Sequence, residues 1–164
     1  MKNGIGSHQS QKMKNDEWLT PPEIMNAFPV FDLDPCAPIV QPWKTAKKKF
    51  SILDNGLLKE WNGRVWCNPP YGKDTSKWLE RMKIHNDGIA LIFARTETKM
   101  FFDHVWNGAT SLLFIKGRLH FHYVDGTRAK ANSGAPSVLI AYGEESSKIL
   151  EDSKIEGQFV MLKS

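Results

Sequence analysis

Asn68-Pro69-Pro70-Tyr71 is the stretch of this chain best equipped for chemistry. It closes an apolar run that ends in Val65-Trp66-Cys67. The two prolines lack N–H groups and fix φ, so neither strand nor helix continues through them. Asn68 is therefore held at the carboxyl end of a strand, with a stiff turn leading to the Tyr71 ring. The Asn68 side-chain oxygen and the Pro69 carbonyl form a pair of acceptors of fixed geometry. A planar amino group on a ring could donate one hydrogen to each while Tyr71 stacks on the ring face. Such an amine is a poor nucleophile because its lone pair is delocalised into the ring. Two acceptors drawing its hydrogens out of plane localise that pair and steady the charge that develops during attack. This is preorganised electrostatic catalysis, and it needs no covalent intermediate.

The elements around this corner read as an α/β chain. Thr20-Pro21-Pro22-Glu23 has the spacing of a capping box, with Thr20 as N-cap, and opens a helix running to about Phe28 and ended by Pro29. A helix start of this kind offers free N–H groups to an anionic ligand such as a carboxylate. A strand over Val30 to Leu33 ends in Asp34, an acid that Pro35 locks in place. Residues 39–53 are compressed for a stretch expected to hold a helix and one or two strands. Asp54-Asn55-Gly56-Leu57 is a turn, and Asn55-Gly56 supplies its left-handed conformation. Trp78 and Met82 mark an amphipathic helix over Asp74 to His85, with Asp74 or Thr75 as cap. Ile89 to Ala94 is a continuous apolar strand of the kind buried on both faces of a parallel sheet. A helix through Phe101, Phe102, Val105 and Trp106 follows, then strands at Leu112–Ile115 and Ser137–Gly143 and a polar helix or strand over residues 145–164. His120 and His122 would share one strand face, but two histidines without a third ligand do not make a metal site.

Composition bounds the rest. A chain of 164 residues is read as one domain, residues 16–164, behind a flexible basic arm over residues 1–15 in which Lys2, Lys12 and Lys14 face no acid. The net charge of +4 is a mild excess that suits phosphate contact. Ile89 to Ala94, the longest apolar run, is too short to span a bilayer, and the N-terminus lacks the apolar stretch of a signal peptide. A cytoplasmic location is therefore expected. Cys36 and Cys67 read as reduced, mostly buried thiols, and there is no CxxC.

Asn-Pro-Pro-Tyr after an apolar strand resembles motif IV of the S-adenosylmethionine-dependent amino methyltransferases, above all those acting on adenine N6 in DNA. Further blocks follow the same order: Trp-x-Thr-Pro, Leu-Asp-Pro-Cys-Ala, Asp-Asn-Gly-Leu, Ala-Arg-Thr-Glu-Thr, Gly-Arg-Leu-His-Phe and Ala-Pro-Ser-Val. From about Asp16 to Tyr142 the chain is similar to the small phage-type DNA N6-adenine methyltransferases. The resemblance implies a compact class I Rossmann-like methyltransferase fold, with a mostly parallel sheet and flanking helices. In that fold strands one and four are neighbours, which would bring Cys36 and Cys67 close together.

By the same resemblance, Asn68, Pro69, Pro70 and Tyr71 form the catalytic corner. Trp18, Thr20, Pro21, Asp34, Pro35, Cys36, Ala37, Asp54 and Asn68 serve S-adenosylmethionine, with Asp34 pairing its ammonium group and Asp54 contacting its adenine amino group. No glycine occurs between Gly6 and Gly56, so Ala37 and the prolines are expected to shape the cofactor loop. The Pro35-Cys36 pair also mimics the nucleophile of cytosine-C5 methyltransferases, but it precedes the Asn68 corner and so stands out of their motif order. The partner implied is double-stranded DNA, whose target base would leave the duplex to reach Asn68. Contacts would come from the arm, from Lys47, Lys48 and Lys49, and from Arg95, Arg118, Arg128 and Lys130, in a monomer or weak homodimer. For a phage-encoded chain the location would be the cytoplasm of a bacterial host, in a restriction-modification setting. Cytosine N4, guanine N2 in RNA and glutamine in protein present similar planar nitrogens. A DNA-binding protein on a decayed methyltransferase scaffold is the reading from another class.

Overall fold

The computed structural model describes residues 18–163, and the basic arm expected over residues 1–15 lies outside them. Seven strands form a single sheet: β1 (Phe31–Asp34), β2 (Ala46–Lys49), β3 (Val65–Cys67), β4 (Gly88–Phe93), β5 (Ser111–Ile115), β6 (Ser137–Tyr142) and β7 (Gly157–Met161). Their order across the sheet is β2-β1-β3-β4-β6-β5-β7. The pairs β1/β2, β1/β3 and β3/β4 are parallel. The pairs β4/β6, β5/β6 and β5/β7 are antiparallel. A mostly parallel sheet was expected: β1 to β5 all run one way, while β6 and β7 run against them, so three of the six pairings are antiparallel. Two of these pairings come from β6, which returns through the long segment 116–136 and inserts between β4 and β5; the third is β7 on the edge beside β5.

Two layers of helix cover the sheet, because alternate residues of each strand face opposite ways. Val65, Cys67, Ala90, Ile92, Val138 and Ile140 point to one face. There they meet Trp78, Leu79 and Met82 of the helix Thr75–His85, which ends where Asn86 takes a left-handed conformation (φ 56°). Trp66, Ile89, Leu91, Leu139 and Ala141 point to the other face, against Ile24 of the short helix Pro22–Asn26 and Leu150 of the helix Glu144–Asp152. β4 and β6 are buried along their whole length, as continuous apolar runs in a covered sheet must be.

Several local expectations are revised. The first helix is shorter than its pattern suggested, and no capping box forms: the N-cap is Pro21, with no side-chain cap bond. The helix beginning at Lys99 widens into a π turn over Phe102–Trp106. Residues 39–53 hold one edge strand, β2, and no helix. His120 and His122 do not share a strand face. Their segment makes only isolated bridges, Leu19 with His122 and His122 with Arg128, because Gly117 and Gly126 break it with left-handed φ values of 75° and 91°. Residues beyond 143 form both a helix and a strand. Among the described residues no helix is long and apolar enough to cross a membrane.

Candidate active site

β1 and β3 are direct neighbours, and the segments leaving their carboxyl ends wall a cavity of about 480 Å³. That is the size of a small-molecule or cofactor site. Three further segments complete the wall: Trp18-Leu19-Thr20, the turn around Asn55-Gly56, and Trp78 from the helix after the Asn68 corner.

Asp34, the last residue of β1, is 3% exposed and lines this cavity. The Cys36 N–H donates to its Oδ1 at 3.2 Å, and the Thr45 hydroxyl donates to its Oδ2. Gln41 Nε2 donates in turn to Thr45 Oγ1 at 3.1 Å, which fixes the threonine. Burial pushes the Asp34 carboxyl up to about 6, against the lowering pull of those two hydrogen bonds and of Lys49. A carboxylate this poorly solvated favours a cationic partner.

Cys36 and Cys67 are free thiols with their sulfurs 3.6 Å apart, as expected for the ends of adjacent strands. Cys36 Sγ also donates to the Asn68 carbonyl at 3.4 Å. The neighbouring Cys67 sulfur, burial and the Asp34 charge all push the Cys36 thiol up. It is a packing group on the cavity wall, and its environment opposes the thiolate a nucleophile would need.

At the corner, Asn68, Pro70 and Tyr71 line the cavity, whereas Pro69 is buried without lining it. Asn68 Nδ2 donates to Thr20 Oγ1 at 3.1 Å, which turns the amide oxygen away from Thr20. The Thr75 hydroxyl donates to the Pro70 carbonyl at 2.7 Å and ties the following helix to the corner. The Asn68 and Pro70 carbonyls are thus engaged. Among the described residues, Asn68 Oδ1 and the Pro69 carbonyl have no hydrogen-bond partner. The Tyr71 ring is stacked on Phe93, with centroids 4.4 Å apart and planes 12° apart, so one face is covered. Its hydroxyl is buried without a partner, and burial holds its pKa well above the usual value despite the nearby positive charge of Arg95. Trp18 lines the cavity with its ring tilted against Tyr123 at 5.1 Å, and its Nε1 is likewise buried and unpartnered.

The other expected site residues are placed as follows. Pro35 and Ala37 line the cavity beside Asp34 and Cys36, whereas Pro21 and Asp54 do not line it. The exposed Asp54 carboxylate accepts from the Ser51 N–H at 2.8 Å, so it serves its own turn, and Asn55 takes the wall position. Asn55, Gly56, Thr45 and Trp78 are cavity residues that the sequence reading did not single out. Gly56 resolves the shortage of glycine near Asp34. A Cβ built on it would lie 1.9 Å from the Pro35 carbonyl oxygen, so only glycine lets this turn reach the loop after β1. Replacing Gly56 by alanine should force the two segments apart, costing about 1–3 kcal/mol of stability. Urea unfolding followed by Trp fluorescence would measure this as a lower midpoint at unchanged slope.

The expected cationic residues do not form one cluster. Lys47 pairs with Asp32 at 3.4 Å, Lys48 lies over the Phe50 ring, and Lys49 Nζ donates to the Ile39 carbonyl at 3.0 Å. All three sit on the edge strand β2. Arg118, Arg128 and Lys130 are exposed on the segment between β5 and β6. That segment is tied to the cavity wall by two backbone bonds between Leu19 and His122 and by the edge-on contact of Trp43 with His122. Arg95 is half-buried next to the corner. No group of three or more His, Cys, Asp or Glu side chains suited to a metal occurs among the described residues.

A family model described as DNA N-6-adenine-methyltransferase (Dam) matches residues 6–155. Neither the comparison with curated proteins nor that with solved structures yields a match.

Proposed function

This chain belongs to the DNA N-6-adenine-methyltransferase family, and from that membership we propose that it transfers a methyl group from S-adenosylmethionine to adenine N6 in DNA. In this reading the sheet is a compact class I Rossmann-like scaffold of the small phage-type members, with the reaction at the carboxyl ends of β1 and β3. The observation that carries it is the Asn68 amide. Its NH₂ is spent on Thr20 and its oxygen is left without a protein partner, at the end of a strand beside a cavity that holds a buried carboxylate.

The cavity suits S-adenosylmethionine in chemistry as well as in size. Asp34 supplies a desolvated carboxylate for the ammonium group of the methionyl end. Apolar walls from Trp18, Leu57 and Trp78 suit the adenosyl end, and Trp18 Nε1 is a buried donor still lacking an acceptor. The bound cofactor supplies an electrophilic methyl group on a positive sulfur.

The chain's own residues prepare the nucleophile. A flipped-out adenine donates its two N6 hydrogens to Asn68 Oδ1 and the Pro69 carbonyl, which draws the lone pair out of conjugation. The open face of Tyr71 stacks on the base. Asn68 is neutral and removes no proton; the methylated nitrogen loses its extra hydrogen to water. The cations of the 116–136 segment and Arg95 meet the phosphates, a contact that weakens with salt.

Transfer of labelled methyl to unmethylated double-stranded DNA, followed by digestion to nucleosides and mass spectrometry, tests the reading. The expected product is N6-methyldeoxyadenosine. N4-methyldeoxycytidine would keep the corner chemistry and change the substrate. No methylated nucleoside from a folded, cofactor-binding chain would overturn the proposal.

A further inference from the structure

Thr20, expected on resemblance to serve the cofactor, has its hydroxyl on the catalytic amide. Thr20 Oγ1 lies 3.1 Å from Asn68 Nδ2, and Thr20 is 3% exposed. The backbone around it is pinned. Trp43 Nε1 donates to the Thr20 carbonyl at 3.2 Å, and Leu19 exchanges backbone bonds with His122 at 2.9 and 3.1 Å. Pinned on both sides, Thr20 offers the Asn68 side chain a stationary anchor.

An asparagine amide has two ends of nearly the same shape and opposite polarity. Half a turn about its terminal bond would place NH₂ where the oxygen was, offering donors to an amine that is itself a donor. The reaction needs the oxygen outward. In that orientation the buried Thr20 hydroxyl accepts from the inward NH₂, so the end of the amide that faces away from the reaction is anchored on a fixed oxygen. A side chain of the same shape without that hydroxyl would leave the inward end of the amide unpaired either way, and the Asn68 side chain would lose its anchor.

Resting on the methyl-transfer reading, we propose that Thr20 is a positioning residue for that reaction, its hydroxyl anchoring the Asn68 amide in place beside the target amine. The role is separate from cofactor binding, and this separates it from the expectation carried by the resemblance.

The test compares Thr20→Val, which keeps the shape, with Thr20→Ser, which keeps the hydroxyl, in the full chain. Three quantities are read: kcat for methyl transfer, the calorimetric Kd for S-adenosylmethionine, and the side-chain NH₂ resonances of Asn68, assigned by their loss in Asn68→Ala. Thr20→Val should lower kcat about tenfold, the worth of one hydrogen bond, with Kd unchanged and the NH₂ pair shifted. Thr20→Ser should restore both kcat and the resonances. Thr20→Ala carries the same comparison if the valine variant does not fold. A raised Kd with intact kcat would overturn the proposal in favour of a cofactor contact, and so would a serine variant as impaired as the valine one. A native chain that methylates no DNA would sink the functional reading alone. The NH₂ resonances would then still decide the role of Thr20, and their being unmoved in Thr20→Val would overturn it.

Discussion

Asn68→Ala should lower kcat for methyl transfer about 10²–10³-fold, the usual size of losing one preorganised polar group at the reacting atoms. The fold should tolerate it. β3 is held by fully buried Val65, Trp66 and Cys67. The corner beyond it is shaped by two prolines and by the Thr75 hydroxyl on the Pro70 carbonyl, none of which involves the Asn68 side chain. The stability lost is that of its bond to Thr20, about 1 kcal/mol. Single-turnover methyl transfer with cofactor and DNA both saturating isolates the chemical step. Asn68→Asp keeps acceptor oxygens and should retain more activity than the alanine variant. If the alanine loss appeared in cofactor Kd with turnover intact, Asn68 would be a binding residue and the corner mechanism would fail.

Asp34→Asn should weaken S-adenosylmethionine about 10²-fold, as expected for losing a charge-assisted contact of roughly 1.5–3 kcal/mol. The same change should make the unliganded protein more stable at neutral pH. In the unfolded chain this carboxyl titrates at its ordinary 3.8, and in the folded protein at about 6. Because the folded value is raised, the favourable contribution is fully present below 3.8 and is lost as pH rises through 6. At pH 7.5 the ionised carboxylate therefore destabilises the fold by about 3 kcal/mol, the gap between 3.8 and about 6 at roughly 1.36 kcal/mol per pH unit. Asparagine keeps the shape and avoids that cost, but its single acceptor oxygen can keep only one of the bonds from Thr45 and the Cys36 N–H, which offsets part of the gain. Cofactor affinity of the native chain should fall below pH 6 as Asp34 protonates, whereas that of Asp34→Asn should be flat. Calorimetry and urea unfolding at pH 5 and 7.5 check both halves. A variant less stable than the native chain at pH 7.5 would show that the carboxylate is not a desolvated charge.

What the sequence revealed follows from how local each signal is. Val65-Trp66-Cys67 followed by two prolines could end only as a strand and a rigid turn, and it does. The helix carrying Trp78 and Met82 lies within a residue of its expected bounds. The closeness of Cys36 and Cys67, which the resemblance implied, follows from the direct pairing of β1 with β3. Contacts between distant segments were not legible. Thr20 and Glu23 have the spacing of a capping box, but the Thr20 hydroxyl is used by Asn68, 48 residues away. Gly56 looked like half of a turn, while its necessity comes from the Pro35 carbonyl. Thr45 precedes the conspicuous Lys47–Lys49 run and is itself unremarkable in sequence, yet it holds Asp34. The antiparallel insertion of β6 was hidden for the same reason. Ser137–Tyr142 is apolar on both faces, and a pattern with no alternation carries neither direction nor neighbour.

The placement of β6 has a consequence for biosynthesis. β6 leaves the ribosome after both of its neighbours and fills the middle of the sheet between them. Until Tyr142 has emerged, β4 and β5 each present an unpaired apolar edge, the kind of surface on which nascent chains aggregate or engage chaperones. No amino-terminal piece of the molecule can therefore close its core early, although the residues of the corner and of the cavity wall are already made. Ribosome-arrested chains of increasing length should become protease-resistant in one step, after residue 142 is exposed. A protected core in chains ending before Ser137 would mean that the parallel half folds alone. Otherwise the site is complete in sequence well before it exists in space, because the strand that closes the sheet follows it in the chain.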